Sequence, residues 1–218
     1  MASTIRYTVS CLEPRTHHIG VEIRVPVTGA GPVRLAMPVW SPGSYSVDDF
    51  AGRVHGVEFT DPSGIPLRFS KTDKTTWSVS PGSSRTVVTR YKVFALDVDV
   101  HRSYLDDTRC TVNGTSVFMY VMGRKEEPVE VTFRIPPGWK RIDTGLRPTS
   151  AQGTKRARTY SAADYDELAD CPVFLGNHHV ETFEVRGVPH TVAIVGPGNY
   201  DTALLTSHTQ RIVEQLAH

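Results

Sequence analysis

The chain has 218 residues, 39% of them hydrophobic, and its 24 lysines and arginines against 23 aspartates and glutamates leave a formal charge of +1. That balance excludes the basic footprint of a nucleic-acid or anionic-membrane binder, and no apolar run approaches the roughly 20 residues needed to span a bilayer. The length suits one large β domain, or one domain plus part of another.

The opening, Met1 to Val9, lacks the apolar core of a secretory signal and reads directly as a strand. Ile5 to Cys11, Val21 to Val27 and Val33 to Met37 are predicted strands, with Gly29 to Pro32 a turn between the last two. Val54 to Thr60 and Leu67 to Phe69 flank a second turn, Asp61-Pro-Ser-Gly64. Thr76 to Ser80 and Thr86 to Phe94 flank Pro81 to Ser84, and Ser116 to Val121 and Val129 to Ile135 continue the pattern up to Pro136-Pro-Gly138. Short strands with Pro/Gly punctuation indicate a mainly β chain, as an antiparallel sandwich or a large curved sheet. Its expected core includes Trp40, Tyr45, Trp77, Tyr91, Phe94 and Phe118. Ser150 to Arg158 is polar and reads as an exposed hairpin tip or loop, and Ala162 to Leu168 as a short helical turn. Val180 to Val185 and Thr191 to Val195 read as a hairpin. The last segment is a helix capped by Asp201, with Leu205, Ile212, Val213 and Leu216 on one face.

The residues offer little chemistry. A helical zinc-hydrolase site needs His-Glu-x-x-His, and no His-Glu dipeptide occurs. His178 and Glu181 begin the inverted pattern, but Thr182 stands where its second histidine would be. His17, His178 and His190 could meet across strands, although surface or hydrogen-bonding roles suit them better. Gly-x-Ser-x-Gly is absent. The acids Asp164, Asp166, Glu167 and Asp170 lack calcium-loop spacing and read as a polar helical cap. Asn113-Gly-Thr115 matches a glycosylation sequon but reads as a tight turn. Cys11, Cys110 and Cys171 are far apart, without a Cys-x-x-Cys pair, and imply reduced structural thiols in a cytoplasmic protein.

Several segments in order resemble the glycyl aminopeptidase family of zinc metallopeptidases. They are Ile5 to Ser10 with His17, Pro38-Val-Trp-Ser-Pro-Gly-Ser-Tyr45, Lys71 to Trp77, Tyr91 to Leu105, Asn113 to Phe118, Asp164 to Gly176, and Gly187 to His190. The resemblance implies an N-terminal β domain over residues 1–170, with 171–218 beginning an incomplete thermolysin-like domain. It implies removal of N-terminal glycine- or alanine-type residues from peptide substrates by zinc-activated water. The zinc is expected in the missing catalytic domain and no cofactor in this chain; the bare alternative is a stand-alone β module that binds a ligand or protein. Asn113, Ser116 and Phe174 are the substrate-cleft candidates. Phe174 stands where relatives place a glutamate, and Asp48-Asp49 where they place a basic-acidic pair. Weak self-association is expected through surface meant for the missing domain.

Overall fold

Alternation in Ile-Arg-Tyr-Thr-Val-Ser folds into β1 (Ile5–Ser10), which buries Ile5, Tyr7 and Val9 and turns Arg6 to water. The computed structural model describes residues 4–149, 154 and 156–217 and divides into two units, one ending at Gly176 and the other beginning at Asn177. After β1 come β2 (His18–Pro26), β3 (Val33–Ala36), β4 (Val54–Thr60), β5 (Phe69–Lys71), β6 (Thr76–Val79) and β7 (Thr86–Phe94). Shorter strands follow: β8 (Tyr104–Leu105), β9 (Arg109–Val112), then helix α1 (Gly114–Val117) and β10 (Tyr120–Val121). The first unit closes with β11 (Val129–Arg134), β12 (Arg141–Thr144), β13 (Arg147–Pro148), β14 (Ala157–Ala162), helix α2 (Tyr165–Asp170) and β15 (Val173–Gly176). Ser150 to Gly153 and Lys155, within the expected exposed loop, lie outside the described residues.

The chain is mainly β, as its punctuation predicts. Seven strands form the main sheet in the order β13-β14-β11-β1-β2-β7-β4, and two four-stranded sheets, β10-β3-β6-β5 and β12-β15-β9-β8, complete the first unit. Inward residues of all three sheets join one core, which includes Ile23, Tyr91 and Phe133 of the main sheet, Leu35 and Trp77 of the second, and Val112 and Leu175 of the third. The outer face of the main sheet carries ion pairs instead, Arg6 with Glu130 at 3.0 Å and Glu22 with both Arg24 and Arg90 at 2.7 Å. One pairing departs from the antiparallel expectation. β1 runs parallel to β11, because β11 returns to the sheet only after the chain has built parts of the other two, the long crossover that parallel neighbours require.

Packing corrects several sequence expectations. Trp77, Tyr91 and Phe118 are buried, but Trp40 is 54% exposed and Tyr45 wholly so. Their loop is shaped by its own backbone bonds, Ser44 N–H to Ser41 O and Asp48 N–H to Val39 O, so no strand alternation turns its aromatics inward. Phe94 is only half-buried, since Tyr91 and Val93 take the inward register and leave residue 94 facing out against His18 and Arg53. Ser116 to Val121 is not one strand, and Asn113-Gly-Thr115 is not a tight turn: both dissolve into α1, followed by the two-residue β10.

Three consecutive carbonyls after and within α1 are held from below by buried tyrosines. Tyr91 donates to Val117 O at 2.7 Å, Tyr165 to Phe118 O at 2.7 Å and Tyr7 to Met119 O at 2.9 Å. Met119 N–H donates back to the Tyr91 hydroxyl at 3.0 Å. Burial pushes all three phenols well above the ordinary tyrosine value.

The second unit pairs β16 (His179–Val185) with β17 (Val188–Ile194) and ends in α3 (Thr202–Leu216). Arg186 and Gly187 both have positive φ, 51° and 76°, the two-residue turn that matches strand twist, so Val188 and Pro189 are strand rather than loop. Asp201 caps α3 through the Leu204 N–H at 2.9 Å. The apolar stripe is not buried: Leu205, Ile212 and Leu216 are 39%, 60% and 81% exposed. Of the stripe only Val213 is half-buried, alongside Thr202, Thr206 and Thr209, and α3 packs on β16.

Candidate functional site

The site grows from the turn that starts β9. Asp106 accepts from Thr108 N–H at 2.8 Å, Thr108 Oγ1 at 2.6 Å and Arg109 N–H at 2.9 Å, and from the Tyr104 hydroxyl at 2.8 Å. Partial burial alone would raise this carboxyl; the hydrogen bonds, Thr108's foremost, outweigh it and hold the group at about 2. From that anchor β9 leads to Asn113, whose side chain links the loop carrying Val100 to the start of α1. Its Nδ2 donates to Val100 O at 2.8 Å, and its Oδ1 accepts from Thr115 Oγ1 at 2.8 Å.

The surrounding protons are fixed by counting donors. Since Thr115 spends its one proton on Asn113, Ser41 donates to Thr115 across their 2.6 Å contact. Ser116 donates to Asn113 O at 2.9 Å, so Ser103 donates to Ser116 at 2.8 Å while accepting from Asn113 N–H at 2.9 Å. Ser41, Ser103, Thr115 and Ser116 are all buried. Their hydroxyls bond to each other, to amides and to carbonyls, with no imidazole or carboxylate among these partners. That network positions backbone; it does not activate a nucleophile.

Against it, α1 meets α2 without clearance. A Cβ added to Gly114 would lie 2.5 Å from Ala169 O and 2.6 Å from Ala169 Cα, so only glycine fits. Helix α2 is capped at its start: Asp164 accepts from Glu167 N–H at 2.8 Å, and Glu167 reaches back to Ala163 N–H. The acid cluster read as a cap is therefore partly that.

Two grooves open on this meeting point. The smaller, of about 330 Å³, has Ser44, His101, Asn113, Asp170 and Pro172 in its wall. The larger, of about 800 Å³, is walled by Trp40, Tyr120, Lys125, Asp166 and, again, Asp170. Lys125 pairs with Asp166 at 2.6 Å and lies 5.4 Å from the centres of both the Tyr120 and Tyr165 rings. Beside them, Asp48 of the loop carrying Trp40, Tyr45 and Val47 faces His101 and Arg102 of the loop carrying Val98 and Val100 at 3.8 Å, beyond hydrogen-bond distance. All five of these apolar side chains are exposed.

Of the residues expected at a cleft, Asn113 is in a groove wall and Ser116 is buried directly behind it in the same network. Phe174 sits half-buried on β15, opposite Thr111 of β9 and Asp143 of β12, and lines neither groove. Sequence reasoning missed Trp40, Lys125 and Tyr120 as wall residues. The exposed Pro-rich loop was the available signal for the first; nothing in the sequence points to the other two.

A zinc ion does not fit these residues. Of the three histidines that could meet across strands, His17 bonds Leu105 O at 2.7 Å and His190 bonds Val188 O at 2.9 Å while stacking on Phe183, so these two imidazoles are engaged separately. Among the described residues no group of three His, Cys, Asp or Glu side chains is placed to hold a metal. No described helix is long and apolar enough to cross a membrane.

Residues 6–177 match the family model described as the Peptidase M61 N-terminal domain. A solved structure of an aminopeptidase N family protein from Idiomarina loihiensis is 28% identical with a TM-score of 0.88, covering 97% of this chain and 36% of that one. An M1 zinc metallopeptidase from Deinococcus radiodurans, solved as a mutant bound to a Tyr-Ser-Ala substrate, is 14% identical with a TM-score of 0.51 over 97% of this chain and 51% of its own, a likeness of fold. No curated protein matches the sequence. The chain thus spans little more than a third of the Idiomarina protein. On the match over residues 6–177, the chain belongs to the M61 peptidases, the glycyl aminopeptidase family, and carries their N-terminal domain.

Proposed function

We propose that this chain is the non-catalytic N-terminal region of a zinc-dependent aminopeptidase that removes glycine- or alanine-type residues from peptides, and that its first unit frames the substrate cleft. Zinc would be held by the catalytic domain that accompanies this region, and residues 177–218 would be the start of that domain. The observation carrying the proposal is the cluster of exposed Trp40, Tyr45, Val47, Val98 and Val100 beside the groove walled by Asn113. Side chains of this size, on neighbouring exposed loops, suit a surface that is covered by a partner domain. Left bare, the same surface would support weak self-association. The three free thiols support a reducing, cytoplasmic setting.

A chimera tests this: the chain replaces the matching N-terminal third of the Idiomarina loihiensis protein. The chain alone should neither turn over glycyl or alanyl anilides nor retain stoichiometric zinc. In a folded, zinc-loaded and active chimera, Trp40→Ala should weaken domain association and Asn113→Ala should raise KM. If both variants leave association and kinetics unchanged, the surface does not frame the cleft, and a stand-alone binding module becomes the better account.

A further inference from the structure

The larger groove carries charge that its own wall does not balance. Four carboxylates stand in that wall, Asp164, Asp166, Glu167 and Asp170, against the single ammonium of Lys125. Three of the four are occupied. Asp166 holds Lys125, and Asp164 and Glu167 accept backbone amides at the start of α2. Asp170 is exposed and has neither an ionic partner nor a hydrogen bond among the described residues. Its place is also unfavourable. It is the last residue of α2, where carbonyls without partners oppose a negative charge, and no basic residue in the last turn offsets it. The same field reaches the next residue: burial first, then the charges of Glu167 and Asp170, push the Cys171 thiol up.

We propose that this groove holds an arginine-bearing stretch of a peptide, with the guanidinium paired to Asp170 and lying against Trp40. Calling that peptide a substrate rests on the aminopeptidase reading above; the binding itself rests on the groove. Its volume of about 800 Å³ falls within the range of ligand sites, about 300–1,000 Å³. Beyond the carboxylates much of the wall is apolar, with Met37, Pro38 and Pro42, surface that a peptide covers and a free cation leaves wet. The groove already keeps one cation in this manner, since Lys125 is paired with a carboxylate and lies near two tyrosine rings. Arginine suits the unpaired acid better than lysine. A planar guanidinium can stack on an indole while making two parallel bonds to one carboxylate. Trp40, half exposed in the same wall, supplies the indole.

The test is a titration of the full chain with acetyl-Ala-Arg-Ala-Arg-Ala-amide, followed by tryptophan emission. Trp77 and Trp139 are buried, so the signal reports Trp40. The probe has no free amino terminus and cannot be an aminopeptidase substrate, so this test and the chimera fail independently. Saturable binding that weakens with added salt is expected, and the same peptide with glutamate in place of arginine should not bind. By calorimetry, Asp170→Asn should weaken binding about fivefold or more. Lys125→Met should tighten it by freeing Asp166, and the charge control Glu58→Gln on β4 should leave it unchanged. Circular dichroism checks that each variant is folded. The proposal is overturned if no saturable binding occurs, if the glutamate peptide binds equally, or if folded Asp170→Asn binds as the parent does. Acetylarginine amide binding as tightly as the peptide also overturns it, because the groove would then be a small-cation site.

Discussion

Replacing Tyr91 with phenylalanine isolates the contribution of one hydroxyl to the scaffold under the groove. The ring stays and the buried volume is nearly unchanged, but two backbone groups lose their partner: Val117 O and Met119 N–H. Val117 and Met119 are fully buried, so water cannot replace the oxygen without opening the core. An unsatisfied buried polar group costs about 1–3 kcal/mol, which puts the pair near 3 kcal/mol after partial relaxation. For a chain of this size that is a fall in Tm of about 6–12 °C. Tyr7→Phe and Tyr165→Phe each strand a single carbonyl and should cost about 1–2 kcal/mol. Urea unfolding followed by circular dichroism gives the ranking, provided the m-value is constant. Hydrogen exchange supplies the site-specific readout, since Met119 N–H should lose protection in Tyr91→Phe and not in Tyr165→Phe. A cost for Tyr91→Phe no greater than for Tyr7→Phe, or an unchanged Met119 amide, would refute the reasoning.

The same tyrosines set an alkaline limit. Their folded pKa values lie above the ordinary value of 10, so the folded state keeps protons that the unfolded chain gives up; stability is complete below pH 10 and falls as pH rises. Three such groups give a slope of about 4 kcal/mol per pH unit, and the share of tyrosinate absorbance that belongs to these three of the eight tyrosines should appear only together with loss of β structure; ionisation of all eight in a chain that is still folded would contradict this. Gly114→Ala drives a Cβ into the Ala169 backbone and should cost at least about 3 kcal/mol in chemical denaturation, with α1 and α2 becoming protease-sensitive. Trp77→Ala should cost about 3–5 kcal/mol because Trp77 is buried. Trp40→Ala should stay within about 0.5 kcal/mol in the isolated chain, and equal losses at the two positions would mean that Trp40 is covered.

Strands long enough to show alternation were legible in the sequence. Thr86 to Phe94 is nine residues of it, and β7 has those same bounds. β9, β12 and β15, of four residues each, were not read as strands, and their identity comes from pairing with one another rather than from local pattern. Size misled the reading of Trp40 and Tyr45, because burial favours large apolar side chains only where the backbone can aim them inward. Asn113-Gly-Thr115 looked like a turn until its side chains found Ser41 and Val100 and the Asn113 amide found Ser103, residues that sequence proximity does not supply. The larger groove was illegible for the same reason: Trp40, Tyr120, Lys125 and Asp166 come from three segments and meet only in the fold.

The two borders of the main sheet carry a different consequence. At one border β13 is two residues long and ends in Pro148, which has no amide proton to offer a neighbouring chain. At the other, β4 breaks register between His55 and Glu58, where Gly56 takes a φ of 60°. Neither border is a straight row of free donors and acceptors, so lateral growth of the seven-stranded sheet into fibrils is blocked at both ends. The exposed apolar loops can therefore remain adhesive toward a partner without the sheet itself becoming a template for polymerisation.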